Sequence, residues 1–122
     1  VDNPAQSPHI PIFSGTTKLP KPFEYNGQKG YKADCVLWQF RRANKLATLS
    51  WQTTKKEFLQ NVMEMEDAAF EGLPELEKAY AKAPRKEKAA VLDAYTASVF
   101  EKTSARWSEL EAKYWSMFGR GF

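Results

Sequence analysis

Five prolines within the first 22 residues, Pro4, Pro8, Pro11, Pro20 and Pro22, decide how this chain can begin. Proline fixes φ and has no amide hydrogen to donate, so it is excluded from helix interiors and central strands. Residues 2–23 therefore read as an extended, edge-like or looping arm. Ile10, Ile12, Phe13 and Phe23 within it still need an apolar surface, while everything after about residue 33 reads as helix. An arm with so little local to pack against suggests a piece of a larger protein. On that expectation the four side chains form an exposed patch on the order of several hundred Å². A free-standing module would hide them against its own helices.

The turn composition of residues 25–30, Tyr-Asn-Gly-Gln-Lys-Gly, supplies two glycines for a tight reversal. The arm, residues 1–32, is thus expected to carry an edge strand or hairpin, and residues 33–122 form a helical region. Asp34 is the expected N-cap of a first helix. Val36, Phe40, Ala43 and Ala47 line one face of it, and Leu37, Trp38 and Leu46 widen that face until the helix must lie between layers. Arg41 and Arg42 mark its outer side or pair with carboxylates from a neighbour.

Thr54-Lys55-Lys56-Glu57 fits the capping box that starts a second helix. Its stripe, Phe58, Val62, Met65, Ala69, Leu73, Leu76 and Tyr80, keeps steps of 3 or 4 across Gly72-Leu73-Pro74. A proline inside a helix costs about 3 kcal/mol, so a kink or a break-and-restart over the same surface is expected there. Ala83-Pro84 punctuates next. A third helix runs from about Lys86 to Phe118, roughly 45–50 Å at 1.5 Å per residue. Leu92, Tyr95, Val99, Thr103, Trp107, Leu110, Tyr114 and Met117 form its stripe, and Gly119 and Gly121 end it. Phe100, Trp115 and Phe118 lie off the stripe and need a second cover. The fold class is mainly α: the arm, then three helices, the second and third as an antiparallel hairpin with the first packed across it.

Composition narrows the function classes. Aromatic content of 14% and hydrophobic content of 43% exclude a disordered polypeptide. One cysteine excludes an internal disulfide framework, and one histidine argues against a protein-built transition-metal site. No apolar run approaches the ~20 residues of a membrane-spanning helix. The net charge is +3, and the basic surplus lies in the first half, spread over Lys18, Lys21, Lys29, Lys32, Arg41, Arg42 and Lys45. Such cations read as solvated helix charge, and no nucleic-acid partner is expected.

Two groups of residues could carry chemistry. Cys35 stands near a helix start with Lys32 close in sequence, but His9 is remote and flanked by prolines, so Cys35 reads as structural. Glu64, Glu66, Asp67, Glu71, Glu75 and Glu77 crowd the second helix without an ordered His or Lys partner. They read as a solvated face with local ion pairs such as Glu77–Lys78–Lys82. Met63, Met65 and Phe70 read as packing fill. No catalytic, cofactor-binding or metal-binding residue is assigned, and no cofactor is expected.

One resemblance is carried by ordered motifs: Asn3-Pro4, Ser7-Pro8-His9-Ile10-Pro11, Phe13-Ser14-Gly15, Leu19-Pro20 and Phe23, then Asp34-Cys35-Val36-Leu37-Trp38-Gln39-Phe40-Arg41 running on to Ala47. This set resembles the C-terminal third of the secreted-dipeptidase family of N-terminal-nucleophile cysteine peptidases, the dipeptidase A type. Tyr95-Thr96 and Trp107 with Leu110 continue it. The resemblance implies the C-terminal portion of a larger α+β hydrolase, secreted or periplasmic, that cleaves short peptides. It implies a nucleophile, the cysteine at the mature N-terminus, supplied by a catalytic portion upstream of Val1. The present residues would then serve a structural or homo-oligomer-contact role. The alternative is a free-standing, non-enzymatic helical interaction module.

Overall fold

A computed structural model describes residues 8–24, 33–49 and 51–118. Among the described residues four α-helices, α1 (Val36–Leu49), α2 (Trp51–Glu71), α3 (Leu73–Lys82) and α4 (Lys88–Phe118), follow the arm. Short 3-10 turns occupy Lys21–Glu24 and Arg85–Glu87, and no strand occurs among the described residues. The chain is mainly helical, as its periodicities require. The reversal expected at residues 25–30 and the glycines expected to end the last helix lie outside the described residues.

The rod formed by α2 and α3 breaks where Gly72-Leu73-Pro74 predicts. Gly72 keeps right-handed helical angles (φ −79°, ψ −11°), its N–H still reaches Ala68 O at 3.3 Å, and α3 restarts with Pro74 in its first turn. Proline is tolerated there because the first amides of a helix have no intrahelical acceptor. The two pieces run antiparallel to α4: Glu57 meets Lys113, Glu64 meets Arg106, Ala69 meets Tyr95 and Tyr80 meets Lys88 as one numbering rises and the other falls. The expected hairpin is therefore present. Helix α1 packs across both of its arms, with Gln39 opposite Ser104 and Arg42 opposite Glu111.

Two helix starts differ from the sequence reading. Cys35, one residue beyond Asp34, offers the first carbonyl of α1, to the N–H of Gln39 at 2.9 Å. Thr54 does not cap α2, which already begins at Trp51. Its buried hydroxyl donates instead to Ala47 O at 2.7 Å. That carbonyl belongs to the last turn of α1 and has no intrahelical donor, so the tight corner between the helices claims the threonine first.

The core is a relay of aromatic rings. Phe23 meets Phe100 (centroids 5.1 Å), Phe100 meets Phe40 (6.3 Å) and Phe40 meets Trp107 (5.9 Å). Phe58 then bridges Trp107 (5.6 Å) and Tyr114 (6.4 Å). Offset and edge-on pairs of this kind add about 0.5–1.5 kcal/mol each beyond area burial. The arm supplies the first ring, and so Phe100, off the main stripe of α4, finds its second cover in Phe23 and Phe40.

The exposed patch expected of the arm does not form. Pro8 is buried, Ile10 and Phe23 pack on the core, and Phe13 stacks obliquely on Tyr95 at 6.1 Å. Of the four apolar arm residues only Ile12, at 56% exposure, faces water. The seam between arm and α4 is polar enough to hold an extended backbone: Thr96 Oγ1 donates to Pro11 O at 2.8 Å, and the Asp93 carboxylate accepts from the N–H groups of Thr17 and Lys18. A turn closed by Thr16 N–H on Phe13 O (2.9 Å) reverses the arm over α4.

Candidate functional site

Reversal of the arm at Phe13–Thr16 leaves two openings beside the α2–α3 break. One is a pocket of about 210 Å³ lined by His9, Ile10, Pro11, Glu66, Ala69, Phe70 and Leu73. The other is a shallower groove between Phe13–Gly15, Leu73, Leu76, Tyr80 and Leu92, with Glu77 at its edge. Leu73 lines both. The arm builds the first opening because Pro11 is held by Thr96 while His9 is held by Glu66. A single Glu66 oxygen accepts from the His9 N–H (3.1 Å) and contacts His9 Nδ1 (2.9 Å).

Chemically the pocket offers apolar walls and one carboxylate. Its volume is below the ~300–1,000 Å³ of small-molecule sites. The imidazole remains largely exposed and its near nitrogen is committed to Glu66. The pocket can hold and orient; no serine, threonine, cysteine or lysine is among its lining residues.

Cys35 lies elsewhere, 1% exposed and outside any disulfide at the start of α1. It is not brought to His9, whose partner is on α2. Lys32 lies outside the described residues.

The acidic residues of α2 and α3 are dispersed among separate partners. Glu64 receives Arg106 Nη1 at 3.0 Å, Glu66 takes His9, and Lys78 pairs with Glu75 at 3.7 Å where the sequence suggested Glu77. Lys78 follows Glu75 by three residues and so shares its helix face, whereas the adjacent Glu77 points about 100° away, so the i, i+3 pair forms. Among the described residues no group of three or more His, Cys, Asp or Glu side chains is placed to hold a metal ion. The reading of Met63, Met65 and Phe70 as packing fill holds for Met65 alone; Met63 and Phe70 are 63% and 68% exposed.

The cations of α1 are spent within the fold. Arg42 Nε pairs with Glu111 at 3.0 Å, its Nη1 donates to Ala33 O, and Arg41 lies over the Trp38 ring at 5.3 Å. Among the described helices none is long and apolar enough to cross a membrane.

Among the described residues three titrating groups are perturbed. Hydrogen bonds from Thr17, first its hydroxyl at 2.6 Å, hold Asp93 below the usual carboxylate value. Burial raises Tyr95, whose hydroxyl donates to Ala69 O. Burial also raises Tyr114 strongly, with the Glu57 charge adding to it.

Sequence reasoning missed Asn44. It is 1% exposed within α1, and its Oδ1 accepts from Trp107 Nε1 at 3.2 Å, fixing the largest ring of the core. The two residues are 63 positions apart, and only an asparagine interrupting an apolar face hinted at the bond. Comparison with protein-family models, with curated proteins and with solved structures returned no match for this chain.

Proposed function

We propose that these residues form the non-catalytic C-terminal segment of a cysteine-type dipeptidase, an enzyme that hydrolyses the amide bond of short peptides. The observation that supports this reading is the ordered motif set of residues 2–47, whose two halves pack together: Phe23 of the arm and Phe40 of α1 both grip Phe100. The segment's role is to brace the enzyme, or to contact another subunit, while the attacking thiolate and its base come from an upstream catalytic portion. A secreted or periplasmic location belongs to the same reading. Burial of Cys35 agrees with its assignment as a structural residue. The test is expression of the gene with its upstream coding sequence. A Cys-led, strand-rich portion should be encoded there, and the longer protein should cleave dipeptides. Cys35→Ser should leave that turnover essentially intact; loss of turnover in a folded variant would overturn the assignment.

One observation favours the second reading, a free-standing helical interaction module. The arm covers itself with its own helices, which a self-sufficient domain must do. On that reading the 122-residue chain is a monodisperse species that melts cooperatively and binds no hydrophobic dye, and no upstream catalytic portion exists.

A further inference from the structure

Helix α2 carries a second, largely apolar stripe that the described chain leaves mostly open. At 100° per residue, Gln52, Leu59, Met63 and Phe70 fall within about 40° of one another, roughly 120° around the helix from the buried Phe58. Met63 and Phe70 are both more than 60% exposed, and Leu59 is half-buried. The trough along this face is lined by Gln52, Lys55, Lys56, Leu59, Met63 and Asp67, among others. Large apolar side chains aligned on an outer helix face mark a contact surface when the flanking charges fit a partner.

Those charges are self-complementary in one direction only. Lys55 and Glu66 flank the stripe on one side, and Lys56 and Asp67 flank it on the other. In each flank the cation lies toward the start of α2 and the carboxylate toward its end. Two α2 helices packed antiparallel about a two-fold axis bring like flanks together. Setting Leu59 against Met63 of a second copy then places Gln52 against Phe70, Lys55 opposite Glu66 and Lys56 opposite Asp67. A parallel pair would oppose lysine to lysine and carboxylate to carboxylate. Closed two-fold pairing of this kind is the commonest assembly of soluble chains.

We propose that this face is the contact of a homodimer, formed by antiparallel pairing of α2 with α2 of a second copy of this chain. The helix spans about 31 Å at 1.5 Å per residue, so the contact lies near the ~1,200 Å² lower bound of stable interfaces. A dimer in the micromolar range is expected. The proposal does not depend on the dipeptidase reading: it concerns the outer face of α2, which meets the arm only toward its end, where Glu66 holds His9 and Phe70 borders the pocket beside Ile10 and Pro11.

Sedimentation equilibrium of the 122-residue chain over a range reaching about 1 mM tests it. The wild-type chain should dimerise reversibly and more weakly as salt is raised. Met63→Glu should abolish the dimer while leaving the circular dichroism and melting profile unchanged, since the side chain is exposed. Lys56→Glu should weaken it about tenfold, through two symmetric repulsions, and adding Asp67→Lys should restore it. A chain that stays monomeric throughout, a dimer that survives Met63→Glu, or a charge swap that fails to rescue would each overturn the proposal.

Discussion

The Tyr95 hydroxyl stands 2.7 Å from the place a Cβ on Gly72 would occupy. Tyr95 reaches Ala69 O only because residue 72 has no side chain, and its ring then supports Phe13 of the arm. The break between α2 and α3 is thus also the slot through which α4 holds both the broken helix and the arm. Glycine is required for space, since its backbone angles are ordinary.

Gly72→Ala should therefore destabilise the fold. At helical angles alanine would normally gain about 0.5–1 kcal/mol over glycine. Here the new methyl displaces Tyr95, costing a part-buried hydrogen bond of about 1 kcal/mol and the packing of Phe13. The net expectation is a loss of about 1–2 kcal/mol by chemical denaturation. Combining it with Tyr95→Phe, which already lacks the hydroxyl, should make the two effects clearly less than additive.

Docking of the arm should weaken in acid. Thr17, by hydroxyl and amide, and the Lys18 amide all donate to Asp93, and they favour its charged form. A carboxyl whose pKa is lowered on folding contributes stability above its unfolded value, near 3.8, and loses that contribution as pH falls through the lower folded value. Hydrogen exchange at the Thr17 and Lys18 amides should stay slow at neutral pH and quicken below about pH 4 relative to α4 core amides. Asp93→Asn should show reduced protection at neutral pH and little further change in that acid window. Equal pH dependence in both proteins would remove Asp93 as the clasp.

How much of this was legible in the sequence depends on the reach of each interaction. The stripes of α2–α3 and α4 and the break at Pro74 follow from spacing within a few residues, and the structure buries Phe58, Val62, Ala69, Leu76, Trp107, Leu110 and Tyr114 accordingly. The destination of the arm was not legible, because Pro11 and Thr96 are 85 positions apart and an extended segment carries no period to reveal its partner. Thr54 shows the same limit at short range. Its local pattern is a capping box, but the open carbonyl of Ala47 outcompetes that pattern once the helices fold against each other. The apolar walls of the pocket beside His9 were readable as hydrophobic residues, whereas their gathering around one carboxylate depends on where the arm turns.

Tyr114 is the one buried side-chain polar group found without a hydrogen-bond partner among the described residues. Burial raises the Tyr114 pKa, and the charge of Glu57 and the approach of its carboxylate to the hydroxyl add to it, but that carboxylate is engaged by Lys113 and no well-formed hydrogen bond to Tyr114 results. A buried hydroxyl left unpaired costs about 1–3 kcal/mol, and the ring earns its place through packing on Phe58. Tyr114→Phe should therefore keep the fold and raise stability by about 1 kcal/mol at pH 7. The pH dependence sharpens the test. A tyrosine whose pKa is raised by folding keeps its full contribution below the unfolded value near 10, then loses it as pH rises above that point. The wild-type chain should lose stability above about pH 10 more steeply than the phenylalanine variant, in denaturant titrations at fixed ionic strength. A variant destabilised by more than about 1 kcal/mol at pH 7 would mean that the hydroxyl has a partner, a bound water or the Glu57 carboxylate itself, and that the polar end of this core is satisfied.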